Sequence, residues 1–303
     1  MKDVVVLLFD HQTINEPVWV PVVAEPLLVW VMSGAARVEE RSPGGEWAAV
    51  HVRAGDFFLT HTREPYEMRW QTEGAEPFQV MHLYLGLPLI DRAAREVLGT
   101  EAPPVAFSDV SGARDELVRL LLDPLRRELS NEPPPSAMFV LGLTQALAVH
   151  LVRRYRGPGG QRPRRNALQA YKLRRVIERM TAGLAEDFHL ADLAKIAELS
   201  EFHFSRLFKH ATGLSPSRYF IHLRMERARR LLRETDRSII DVGMEVGYSS
   251  PSHFSQVFRR EVGVTPSVPP GVTPVLSARP SALRMGRQAC GRARYPAARP
   301  GCR

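Results

Sequence analysis

Two short polar stretches in the back half of this 303-residue sequence carry side chains suited to reading a nucleic acid. The first holds Phe202, His203, Ser205, Arg206 and Lys209; the second holds Ser252, His253, Gln256 and Arg259. Arginine and glutamine present paired hydrogen-bonding groups to base edges, serine and histidine present single ones, and lysine and arginine neutralise phosphates. The stretches are related. Sliding the sequence by 50 residues sets Ser200 on Ser250, His203 on His253, Phe204 on Phe254, Phe208 on Phe258, Gly213 on Gly263 and Pro216 on Pro266. Upstream the offset is 49, with Asp192 on Asp241 and Leu193 on Val242, so the second copy has one extra residue in its turn. Matches this dense mark an internal duplication.

Each copy reads as helix, tight turn, helix. In the first, Leu190, Leu193, Ala194 and Ala197 form the buried face of the leading helix, and Leu199 plugs the turn. Ser200 then stands as N-cap of the second helix; in the other copy Ser250 is followed by Pro251, a residue preorganised for the first helical position. Phe204, Leu207 and Phe208, like Phe254, Val257 and Phe258, share a face at i, i+3, i+4 spacing and belong to a core. That leaves the polar stretches outward, the arrangement a DNA major groove accepts. Two solvated helix faces would look similar, but the duplication and the charge favour DNA. Between the copies, Ser217 to Glu234 reads as one helix, a rod of roughly 27 Å at 1.5 Å per residue. It is long enough to set the two reading helices about one DNA turn apart.

Charge divides the chain in the same place. Residues 1–160 carry 15 basic and 21 acidic residues, and residues 161–303 carry 26 and 12. An acidic front and a strongly basic back suit a phosphate-bearing partner for the back alone. A hydrophobic content of 44% fits a folded protein and excludes wholesale disorder. No run of 18 apolar residues predicts a membrane span. Val4 to Phe9, six apolar residues followed by Asp10, read as a strand rather than a signal peptide. Both cysteines, Cys290 and Cys302, lie near the C-terminal end, so no disulfide framework is expected and a cytoplasmic setting is.

Residues 4–86 read as β: Val18 to Val23, Leu27 to Met32, Ala48 to Val52, Phe57 to Thr60 and Phe78 to Leu85, separated by turn signals such as Ala54-Gly55-Asp56. Short, evenly spaced strands predict a small barrel or sandwich. Residues 110–155 switch to helical period, with stripes at Leu117, Leu121 and Leu125 and at Phe139, Leu143, Leu147 and Leu151, parted by Pro133-Pro134-Pro135. The resulting division is a barrel over 1–109, a dimerising helix pair over 110–156, a Gly/Pro/Arg linker over 157–167, the duplicated helical domain over 168–267, and a disordered Arg/Pro-rich tail over 268–303. The fold class is α+β with two domains.

The stretch Ser200 to Lys209 with Thr212-Gly213-Leu214-Ser215-Pro216, the helix Arg224 to Leu232, and Val246-Gly247-Tyr248-Ser249 through Arg260 with Gly263-Val264-Thr265-Pro266 closely resemble the AraC/XylS family of bacterial transcription regulators. The resemblance implies a double helix-turn-helix DNA-binding domain and, usually, transcription activation, with RNA polymerase as a partner if the protein is an activator; a homodimer is expected from the two apolar helix stripes of residues 110–156. The sequence departs from the family at Glu198, where a glycine is common, at Gly243, where alanine is usual, and after Ser267. A left-handed Glu198 would cost roughly 1 kcal/mol.

More weakly, Arg53 to Leu59 and Glu64 to Trp70 resemble the family's cupin-type sensor domain, which implies a small-molecule effector. Gly55, His61, Glu67 and Gly74 match the spacing of metal-binding cupins, but Arg63 stands at the second histidine, and a guanidinium does not ligate metal. The expectation is no metal, no cofactor and no catalysis. Trp30, His61, Tyr66 and His82 are candidate effector contacts, with Trp19, Trp70 and Tyr84 as further lining residues. An effector-responsive activator is the leading reading. The alternatives are a repressor, a ligand-independent regulator, or a metal-dependent cupin enzyme fused to a DNA-binding module. A DNA-alkylation repair protein would need a thiolate that the folded part lacks.

Overall fold

A computed structural model describes residues 4–62, 64–130, 134–157, 167–235 and 237–266. The tail 268–303, Arg63, Pro133 and the linker residues 158–166 lie outside the described residues.

The front half is built on two antiparallel sheets. One has the order β1 (Val4–His11), β8 (Phe78–Leu85), β3 (Leu27–Ser33), β6 (Asp56–Thr60), β9 (Val110–Arg114). The other runs β2 (Ile14–Val20), β7 (Tyr66–Glu73), β4 (Ala35–Arg41), β5 (Ala48–Arg53). Period-two alternation assigns each side chain to a layer. On β3, Val29 and Val31 face the second sheet while Leu28 and Trp30 face the helices. On β8, Phe78 and Val80 point between the sheets while Met81, Leu83 and Leu85 point to the helices. The helical layer is α1 (Leu87–Leu98), α2 (Glu116–Ser130) and α3 (Ala137–Arg154), with α3 packed on both others.

Several sequence expectations are corrected here. Residues 110–114 are a strand, not the start of a helix, because Gly112 at φ +67° lets the chain pass Val50, where a Cβ would lie 2.6 Å from a methyl carbon. The buried stripe of α2 is Val118, Leu122 and Leu125; Leu125 is buried and Leu121 partly buried as expected, but Val118 takes the place of Leu117, which is exposed together with Leu120. On α3, Leu147 and Leu151 are buried as expected, but Phe139 is exposed. The run Pro21 to Pro26, read in part as strand, is a loop.

Asp115 ties this layer together. Its Oδ1 accepts the N–H groups of Leu117 at 2.9 Å and Val118 at 3.1 Å, capping α2. Its Oδ2 takes the Tyr155 hydroxyl at 2.7 Å and meets His150 Nε2 at 2.8 Å, at the far end of α3. Burial opposes ionisation, but the bonds from Tyr155, His150 and Val118 outweigh it and hold the carboxyl at about 2.

The back half is α4 (Ala170–Ala182), α5 (Leu190–Ile196), α6 (Glu201–Thr212), α7 (Pro216–Glu234), α8 (Ile239–Glu245) and α9 (Pro251–Val262). It has two cores. Leu173, Val176, Leu193, Phe204, Phe208 and Tyr219 fill the first; Met225, Ala228, Leu231, Val242, Phe254 and Phe258 fill the second. The single helix α7 supplies both, through Tyr219 and Phe220 at one end and Met225 to Leu231 at the other.

The β2–β3 loop joins the halves. Val22 donates its N–H to the carbonyl of Ala211 at 3.1 Å, and Ala24 to that of Leu168 at 3.2 Å. Val23 packs on the first helical core, and the Trp19 ring lies against Gly213.

Candidate nucleic-acid interface and ligand cavity

The duplication seen in the sequence is repeated bond for bond in the two turns. Ala197, Glu198 and Leu199 donate to the carbonyls of Leu193, Lys195 and Ala194; Val246, Gly247 and Tyr248 donate to Val242, Met244 and Gly243. These pairs differ by 49 positions. After Ser249, the extra residue, the offset becomes 50: Phe204 and Phe254 donate to Ser200 and Ser250, and Gly213 and Gly263 to Lys209 and Arg259.

Both reading helices are capped as the sequence predicts. The Ser200 hydroxyl accepts the N–H of His203 at 3.4 Å, and that of Ser250 accepts the N–H of His253 at 3.3 Å. Both end on glycine in the left-handed region, Gly213 at φ +76° and Gly263 at φ +89°. Caps at both ends and a phenylalanine pair locked in the core fix the direction of each outer face.

Those faces expose the expected residues. On α6, Phe202, Arg206 and Lys209 are exposed, with Phe202 at 82%, and Ser205 and His203 are half-buried. Arg206 Nη2 lies 3.0 Å from His203 Nε2, which holds the guanidinium along the helix. On α9, Ser252, His253, Gln256 and Arg259 are all exposed, and the His253 ring sits edge-on to Tyr248 at 5.4 Å. The two faces match position for position, except that His203 is partly covered and His253 is not.

The sequence reading missed the residue that holds the copies to each other. Arg224, midway along α7, donates from Nε to the carbonyl of Leu184 at 2.8 Å and from Nη2 to that of Glu186 at 2.7 Å. Its guanidinium also stacks on Phe220 at 4.6 Å and Tyr248 at 5.3 Å, one ring from each core. An arginine among the Arg-rich positions of this helix gives no sequence signal of that role. The departures at Glu198 and Gly243 do have local consequences. Glu198 is left-handed at φ +56°, alone among the described non-glycine residues, and its carboxylate pairs with Lys172 at 3.1 Å. Gly243 lies under the Phe254 ring, where a Cβ would come within 3.2 Å, so alanine there would press on the core.

A cavity of about 370 Å³ opens between the two sheets. Tyr66, His82, Trp70 and Tyr84 line it, as does His11, which the sequence reading did not single out. Two expected contacts are corrected. Trp30 is buried under the helices on the other side of its sheet, because alternation turns it away from the cavity. His61 lines a separate groove beside Phe107, whose N–H reaches its Nδ1 at 3.4 Å. Trp19, also expected in the lining, sits at the contact with Gly213. Burial holds His82 down at about 3, with help from His11, and His11 at about 4, the latter opposed by Asp10. Burial also raises the Tyr84 phenol to about 12, reinforced by Glu25. Among the described residues no cluster of three or more His, Cys, Asp or Glu could hold a metal ion, and no helix is long and apolar enough to cross a membrane.

Residues 193–268 match the model of a family described as a helix-turn-helix domain. The chain is 40% identical over 95 residues to the HTH-type transcriptional regulator GbdR of Pseudomonas aeruginosa, a match covering 31% of this chain and 26% of that one. It is 38% identical to a solved transcriptional regulator with an AraC-type DNA-binding domain from Chromobacterium violaceum, covering 32% of this chain and 86% of that chain, with a TM-score of 0.31. It is 34% identical to the DNA-binding domain of AdpA solved with a target DNA, covering 31% and 86%, with a TM-score of 0.30. The matched segment thus spans only a quarter to a third of the length of the curated relatives. On sequence identity across the AraC-type domain, this chain belongs to the AraC/XylS family of transcriptional regulators.

Proposed function

We propose that the protein is a cytoplasmic, sequence-specific DNA-binding transcription regulator, not an enzyme, that answers to a small molecule. One observation carries this reading. Two capped helices, alike down to their turn hydrogen bonds, expose Arg206 and Lys209 in one copy and Gln256 and Arg259 in the other. These are base-reading and phosphate-binding chemistries at matched positions on a helical rod about 28 Å long. That the AdpA domain was solved on a target DNA supports the reading for this similar segment.

The front half is the sensor, of cupin type. Strand β2 lines the cavity through Val18 and Val20 and runs directly into the loop that bonds to Ala211 and Leu168. An effector that favours one placement of that strand would bias the helical half only as far as its affinity differs between the two placements. Leu117, Leu120, Met138 and Phe139 leave an exposed apolar surface on α2 and α3 that supports a homodimer. Activation through RNA polymerase, rather than repression, is the leading form.

The test is a footprint on DNA selected from a random pool. Two protected patches about 10 bp apart on one face of the duplex are expected. No selected sequence, or protection with no such period, would refute the reading.

A further inference from the structure

The lining of the cavity between the sheets sets the chemistry of what it can hold. The walls are Val18, Val29, Val38, Phe58, Met68 and Phe78, with the rings of Tyr66, Trp70 and Tyr84 among them. Among the described residues no lysine or arginine lines it, and the one carboxylate there, Asp10, belongs to an exposed residue. The nearby charges that act on the wall tyrosines are chiefly acidic: Glu40 and Asp109 at Tyr66, and Glu25 at Tyr84, opposed only by Arg174. An anion placed here would lose its water and meet a negative field with no cation to pair with. A cation would find aromatic rings but no inward carboxylate, and two imidazoles as neighbours.

Inside this apolar wall one polar atom stands out. The Nδ1 of His82 is buried with no hydrogen-bond partner, although buried polar groups are nearly always paired. Its ring is held by Phe9, edge-on at 4.6 Å, so it cannot swing away to find water at no cost. An unmet polar atom on a residue lining an apolar cavity is a place for one hydrogen bond from a guest. The neutral imidazole can donate or accept there, according to its tautomer.

We propose that the cavity takes an uncharged, ring-bearing organic molecule carrying one hydroxyl or carbonyl group, which hydrogen-bonds to Nδ1 of His82. The inference rests on the reading of the front half as a sensor and narrows it to a ligand class. Acids, phosphates and free amines are excluded by the same lining that admits a neutral ring.

Four probes of one shape test it on the full chain: 2-naphthylmethanol, 2-naphthoate, 2-naphthylmethylammonium and 2-methylnaphthalene, followed by naphthyl fluorescence and calorimetry. The alcohol should bind at least tenfold more tightly than either ion. Exchanging His82→Phe should weaken the alcohol about tenfold and leave 2-methylnaphthalene unchanged, which also shows that the variant keeps its cavity. Tighter binding of the naphthoate or the ammonium overturns the ligand class while leaving a sensor cavity in place. Equal loss of both neutral probes in the variant overturns the role of His82. No binding of any probe overturns the inference together with the cavity as a sensor site, while DNA footprinting by the same preparation judges the DNA-binding reading separately.

Discussion

The carboxylate of Glu25 accepts the backbone N–H of Ala170 at 2.8 Å, across 145 positions of sequence. Helix α4 has no side-chain cap of its own, since Gln169 at its N-cap makes no such bond. A residue of the front half thus caps the first helix of the back half. Burial raises the Glu25 carboxyl, and the N–H of Ala170 works against that rise. Replacing Glu25 by alanine strands a buried N–H, which costs about 1–3 kcal/mol. The expected results are a lower urea midpoint and faster hydrogen exchange at Ala170, with Glu25→Gln intermediate. Unchanged exchange would show that this cap contributes nothing.

The outer faces of α6 and α9 should separate base reading from phosphate binding. Arg206→Ala and Gln256→Ala should each cost about 1–3 kcal/mol on a selected site and relax preference at one position, guanine for Arg206 and adenine for Gln256. Lys209→Ala and Arg259→Ala should weaken all sequences alike and lower the salt slope by about 1 each. Titrations at several salt concentrations distinguish the two patterns.

The turns predict opposite responses to glycine. Glu198 is left-handed, so Glu198→Gly should relieve roughly 1 kcal/mol of backbone strain, less the exposed pair with Lys172. Gly247 occupies the matching place at φ +81°, but a Cβ there would lie 2.9 Å from the carbonyl oxygen of Leu184. Gly247→Ala should therefore cost more than the 1–2 kcal/mol of the backbone alone. Thermal melts of both variants check the contrast.

Stability should fall on mild acidification. His82 and His11 stay neutral when folded, at about 3 and about 4, whereas in the unfolded chain each takes a proton below about 6.5. The unfolded state then binds more protons, so stability is present above that value and is lost as pH falls towards the folded values. The loss from pH 7 to pH 5 is about 2 kcal/mol for each ring. Denaturation at the two pH values should show a shallower slope in the His11→Gln, His82→Gln double variant.

The sequence disclosed most where local chemistry decides. Ser200, Ser250, Pro251, Gly213 and Gly263 are caps whose residue types report their own conformation. The strands β4 and β7 were harder, because their outward residues are charged. Arg41 pairs with Glu67 and Arg69 with Glu39, and both arginines stack on Trp47, so neither run looks apolar. Val22 and Val23 misled in the other direction. They are apolar because the loop docks on the helical half, not because they are a strand. The cavity histidine His11 and the cap Glu25 act through partners remote in sequence, which no local pattern reveals.

The copies differ in length at one place only, the turn residue Ser249, and share the uninterrupted helix α7. An inserted residue in a turn is absorbed by the loop. In α7 it would push the second copy along by about 1.5 Å and swing it by about 100° around the axis. Because each end of that helix is anchored in a different core, the swing could not be taken up locally. The spacing and phase of any two-part DNA site would thus be written in the number of residues in α7. A change of one residue would alter the direction in which the second copy points, while leaving every side chain on its reading face intact.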